Sequence, residues 1–168
     1  MFHLRKGSHL SRDRGQGAAL AAGFESLVVF TLNGDESAIP TEHVHEVLRM
    51  VAVTPLPGAP SWLAGVVNLR GRVVPVIDLR TRFGVPAGSV GLATPIVVVE
   101  AGDVVAGLIV DAVSGMVGVG TYDLAWQAVS DAPSPFVSAV ARVSGRLILV
   151  TDVSAVCDGV TAFIPGTA

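Results

Sequence analysis

The chain has 168 residues, 51% of them apolar and 15% charged, with a net charge of −3 and a pI near 5.7. This is too apolar for a disordered chain and the wrong charge for nonspecific nucleic-acid binding, and the length suits one domain or two small subdomains sharing a core. A single cysteine, Cys157, excludes an internal disulfide and a cysteine-built zinc cage.

Thirty valines predict a β-rich fold, and nineteen glycines with ten prolines predict many tight turns. Residues 1–23 read as a flexible basic tail, with four basic side chains (Arg5, Lys6, Arg12, Arg14) against one acid. The other 145 residues hold seven arginines against thirteen acids. The apolar stretch Ala18 to Ala22 is too short for a signal-peptide core, and no apolar run reaches the roughly 18 residues of a membrane span. A cytoplasmic protein is expected.

The body begins at Phe24. Leu27 to Leu32 predicts a strand, Asn33-Gly34-Asp35 a hairpin turn, and a short return strand ends near Ile39. Thr41 caps a short helical turn, and Val47 to Val53 predicts the next strand. Leu56 to Pro60 is a turn and Ser61 to Leu63 a helical turn. Gly65 to Leu69 and Arg72 to Leu79 form a strand pair about Gly71, followed by a short helix to Phe83. Val85 to Thr94 is a loop. Strands follow at Pro95 to Glu100, Val104 to Val110 and Ala112 to Val119, and then a loop at Ala128 to Ser138. A last strand pair, Val140 to Val143 and Arg146 to Thr151, leads into a helical turn from Asp152 to Cys157.

The pattern occurs twice. Gly71 to Leu79 lies over Gly145 to Val153 at an offset of 74, with Gly, Arg, Val and Asp coinciding; upstream, Gly34-Asp35 matches Gly102-Asp103 at an offset of 68. Five short strands per half bury little alone, but closed barrels remove their edges. The predicted fold is all-β: two five-stranded SH3-like barrels packed around a shared hydrophobic core, with a few helical turns. A continuous sandwich is the alternative. The domain is expected over residues 24–160, in halves of roughly 24–85 and 94–158, with a C-terminal tail at 161–168.

Residues shared by the halves read as architectural. Asp78 and Asp152 cap helices, Gly71 and Gly145 make equivalent turns, and Arg72 and Arg146 start strands in solvent. Residues present in one half are better functional candidates. Asn68 and Arg70 face Arg142 and Ser144 in the repeat, and an arginine there suits an interface. Pro75 within a strand suggests an edge or bulge. His43 and His45 share a strand face and are a metal candidate without a visible third ligand. No nucleophile elbow, dinucleotide loop or paired-carboxylate site stands out, no cofactor is called for, and Cys157 reads as a small core residue. A binding module rather than an enzyme is expected.

Leu56-Pro57-Gly58 through Asn68-Leu69-Arg70-Gly71 to Pro75-Val76-Ile77-Asp78-Leu79-Arg80 resembles the CheW-like domain family. So does Ala38-Ile39-Pro40 followed by Val44-His45-Glu46-Val47. The resemblance covers about residues 25 to 158, although Ser138-Ala139-Val140-Ala141 stands where many relatives carry glycine. It implies two five-stranded barrels and an adaptor joining the cytoplasmic tip of methyl-accepting chemoreceptors to the regulatory domain of a CheA-type histidine kinase. Membrane contact is then indirect, through receptors. Val44, Glu46 and Arg70 match receptor-facing positions of the family, and Asn68 adjoins them; no kinase-contact residue is assigned. An adaptor of another chemosensory pathway, such as twitching, and a small-molecule or metal-binding double barrel around His43 and His45 are the other readings.

Overall fold

The computed structural model describes residues 25–125 and 134–164. The expected basic tail, most of the expected 128–138 loop and the last four residues lie outside them. The described strands are β1 Ser26–Leu32, β2 Asp35–Pro40, β3 Val44–Arg49, β4 Leu63–Leu69, β5 Arg72–Asp78, β6 Pro95–Ala101, β7 Val104–Ile109, β8 Ala112–Gly118, β9 Tyr122–Ala125, β10 Val137–Val143 and β11 Arg146–Thr151. Two short helices, α1 Leu79–Phe83 and α2 Val153–Cys157, follow β5 and β11, and 3-10 turns span Thr41–His43 and Val160–Phe163. The chain is all-β with a few helical turns, as the valine count and repeat predict.

One sheet runs β8-β1-β2-β11-β10-β9 and the other β3-β6-β7-β5-β4. Their neighbours are antiparallel except β2–β11 and β5–β7, which pair in parallel over two and three residues. The sheets do not coincide with the two halves of the sequence. Hairpin β1–β2, from the first half, lies in the sheet built otherwise from β8 to β11. Hairpin β6–β7, from the second half, lies in the sheet with β3, β4 and β5. The offset-74 repeat is present, but each half lends its first hairpin to the other.

The exchange explains the unbroken apolar runs Leu27–Phe30 and Ile96–Val99, since strands covered on both faces need no polar alternation. Leu27 and Val29 face a cluster inside the six-stranded sheet, with Tyr122, Leu124, Ala141 and Ile148. Ile96 and Val98 face one inside the five-stranded sheet, with Val67, Val74 and Val76. The intervening side chains, Phe30 and Leu32 on β1 and Val97 and Val99 on β6, meet in a third cluster. That cluster also takes Leu79 from α1 and Val153, Val156 and Cys157 from α2. This is the shared core, and it drives the two sheets together by apolar burial.

The five-stranded sheet curls toward closure. After β3 the chain bends so that Thr54 bonds Val66 of β4 in both directions, at 2.8 and 2.9 Å, tying the two edge strands. Gly65 permits this approach: its φ is 149°, and a Cβ there would lie 2.1 Å from the Thr54 carbonyl oxygen. The bend also ends β3 at Arg49, where the sequence predicts a strand over Val47 to Val53; the later valine run is used to reach the bridge.

Other differences have local causes. β4 already starts at Leu63, where a helical turn is predicted, and β10 starts at Val137, inside the predicted loop. β9 is absent from the sequence prediction because Tyr122-Asp123-Leu124-Ala125 alternates over too few residues to stand out. The Val160–Phe163 turn continues regular backbone past residue 160, with Phe163 edge-on to Trp62 at 6.4 Å. Pro75 lies on neither an edge strand nor an opening: β5 runs between β4 and β7. The proline pairs with Val66 of β4, beside the bulge between Leu63 and Gly65, and Val66 gives its own N–H and carbonyl to Thr54, so the missing N–H removes no bond to β4.

Candidate functional site

The hairpin joining β4 and β5 turns through Arg70 and Gly71, at φ 51° and 80°, two left-handed residues that match strand twist. The Asn68 side-chain carbonyl accepts from Gly71 N at 2.9 Å and braces the turn. Arg70 is thereby held at the tip, its side chain 75% exposed.

Arg70 reaches Glu46 on β3. Nη1 donates to Oε1 at 2.7 Å and Nη2 to Oε2 at 2.9 Å, a fork-to-fork geometry that fixes both side chains. The Arg70 hydrogen bond and charge hold the Glu46 carboxyl below its usual range, and Glu46 in turn raises Arg70. The pair stands on the rim of a cleft of about 230 Å³. Val74 and Val98, both buried, form its floor, and His45, Leu69, Arg72 and Val105 complete its wall. Val44 does not join them: it packs against the shared core instead. Of the four residues singled out in the sequence, two form the charged rim, one supports the turn and one anchors the strand.

The other hairpin is a control within the molecule. Ser144 and Gly145 repeat the turn at φ 48° and 79°, but the tip carries a hydroxyl where Arg70 carries a guanidinium. β8, the counterpart of β3, has no charged residue along Ala112–Gly118.

His43 and His45 do not share a strand face, because the 3-10 turn ends at His43 and β3 begins after it. His43 Nδ1 donates to the Glu100 carbonyl at 3.0 Å, and the Glu100 carboxylate accepts from His45 Nε2 at 2.5 Å. Among the described residues no group of three His, Cys, Asp or Glu side chains could hold a metal ion. The metal reading is not supported by this geometry.

Two arginines escaped the sequence reasoning. Arg80 on α1 is buried, with its side chain 2% exposed. Its Nε and Nη2 donate to the two oxygens of Asp78 at 3.0 Å each, and its Nη1 to Asp111 Oδ1 at 3.1 Å and to the Gly88 carbonyl at 3.0 Å. The Asp78 hydrogen bond is the main influence raising its pKa, against the cost of burial. Asp111 also accepts from Asn33 N at 2.6 Å, so one network ties α1, the 85–94 connection and the β1–β2 turn. Arg82 lies 3.9 Å from the Trp62 ring centre and 4.9 Å from that of Phe136, equivalent positions at the offset of 74. It also donates to the carbonyls of Val156 and Asp158. The available signal was Asp78 two residues before Arg80, but nothing in the sequence places Asp111 beside them.

Asp78 and Asp152 cap α1 and α2, accepting from Arg80 N and Ala155 N at 3.1 Å each. Cys157 is buried in the shared core, which pushes its thiol up to about 11. The site offers a fixed ion pair above an apolar floor, a surface suited to recognition. Among the described residues no helix is long and apolar enough to cross a membrane.

Comparison with known proteins bears on the family and the fold. The family model of the CheW-like domain matches residues 26–160. The chemotaxis protein CheW of Rhizobium meliloti is 33% identical, over 82% of this chain and 90% of its own. That of Bacillus subtilis is 32% identical, over 80% and 87%. The crystal structure of the scaffolding protein TtCheW from Thermoanaerobacter tengcongensis superposes with a TM-score of 0.72 at 30% identity, covering 80% of this chain and 92% of that one.

Proposed function

The chain belongs to the CheW-like domain family, and from that membership we propose that it is a chemotaxis scaffold adaptor coupling transmembrane chemoreceptors to a CheA-type histidine kinase. The cytoplasmic tip of a methyl-accepting receptor, a helical hairpin, docks at the end of the five-stranded sheet. Leu69 and Val105 offer apolar contact there, while Glu46 and Arg70 set register and partner choice. Asn68 and Val44 hold the hairpin and strand that carry the pair. The regulatory domain of the kinase, which shares this fold, is the second partner. The adaptor accelerates no reaction; it works in the cytoplasm by holding two partners in one array, where individually weak contacts are multiplied.

The observation that carries this reading is the bidentate Glu46–Arg70 pair, exposed at the tip of its hairpin where the β10–β11 hairpin has Ser144; the exposed pair of that second hairpin, Arg146 with Glu36 of β2, lies one residue past the tip and is joined by a single hydrogen bond. Co-sedimentation with a receptor signalling fragment and a CheA-type kinase tests it. Wild-type protein should be recruited and raise kinase autophosphorylation. Arg70→Glu puts two carboxylates face to face and should weaken recruitment about tenfold or more, with an unchanged circular dichroism spectrum. Undiminished recruitment of this variant would remove the face from the mechanism.

A further inference from the structure

Glu46 meets Arg70 because β3 is bulged. Val44 pairs with Val99 and Glu46 with Val98, so His45 is the extra residue opposite no partner. In a regular strand, residues two apart point the same way. The bulge separates them: Val44 follows Val99 to the shared core, and Glu46 follows Val98 to the cleft. The bulged residue is tied to the neighbouring strand through Glu100 of β6. That carboxylate accepts from His45 Nε2 at 2.5 Å, and the Glu100 carbonyl accepts from His43 Nδ1 at 3.0 Å. The residues on both sides of Val44 therefore grip one residue of β6.

We propose that His45 is a positioning residue for the docking face: its hold on Glu100 keeps the β3 bulge in the register that brings Glu46 to Arg70. The inference rests on the reading of this face as the receptor site. The imidazole donates from Nε2 to the Glu100 carboxylate, and it can do so because the bulge sets the His45 side chain beside β6. A side chain without a donor at that place leaves the extra residue of β3 untied, and the Glu46 carboxylate is then no longer held at the Arg70 fork.

The test reads the free adaptor, so it is independent of receptor binding. NMR hydrogen exchange at a single pH gives the protection of the Arg70 guanidinium relative to Arg72, for wild type, His45→Gln and His45→Ala. Wild type should be about threefold more protected than His45→Ala, the scale of an exposed charged contact. His45→Gln, whose amide can donate to Glu100, should keep the wild-type protection. Full protection in His45→Ala, or protection in His45→Gln as low as in His45→Ala, would each overturn the inference. Recruitment of Arg70→Glu, measured separately, reports on the face itself.

Discussion

Hairpins β4–β5 and β10–β11 pass through the same pair of left-handed residues, Arg70-Gly71 and Ser144-Gly145, and each begins its second strand on an arginine. Each second strand leads into an aspartate that caps a five-residue helix. The hairpins differ in what this shared backbone carries. The first has the Arg70 guanidinium at its tip and Arg80 buried past the far end of its second strand; the second has Ser144 and, at the position matching Arg80, the exposed Ser154. What repeats is what the turn and the cap require. What does not repeat includes a buried network around Arg80 and an exposed bidentate pair at the hairpin tip.

The sharpest break in the comparison is at Arg80. Arg80→Met leaves the carboxylates of Asp78 and Asp111 without their shared cation, and should cost about 3–5 kcal/mol in urea unfolding. Ser154→Ala, at the matching position, should fall within about 0.5 kcal/mol of wild type. Equal losses would mean that the asymmetry between the halves is not energetic. An intermediate effect is expected where the halves agree. Asp152→Ala removes a plain cap and should cost about 1 kcal/mol. Asp78→Ala should cost more, because the same carboxylate also holds Arg80. Thermal melts of the two variants side by side measure that difference.

These contrasts follow what was legible in the sequence. The hairpins, caps and all-β class could be read because each depends on a local signal: Gly after a turn residue, Asp before a helix, valine runs between. The candidate Arg70 could be read because the repeat supplied its own control. The hairpin exchange could not, since β1–β2 carries the same local pattern whichever sheet receives it. Nor could the Arg80 network, whose members Asp78, Gly88 and Asp111 are separated by up to 33 residues and brought together by the shared core. The His45 bulge was hidden for a related reason. Val44-His45-Glu46 looks like regular alternation, and only the pairing with Val98 and Val99 shows that Val44 and Glu46 face opposite ways.

The smallest stability effect is expected at the exposed pair, and its smallness is informative. Arg70 is 75% exposed and Glu46 26%, so water replaces most of what the ion pair provides when it is removed. The bridge at Thr54 and Val66 already ties the two edge strands, and the turn itself is set by Gly71 and Asn68. Arg70→Ala should therefore melt no further from wild type than Ser154→Ala does. A large drop would make the pair a structural closure of the sheet, and its presence at one end would then need no partner to explain it. A melt close to wild type, alongside lost recruitment in Arg70→Glu, leaves recognition as the role of a bidentate pair that the fold does not need.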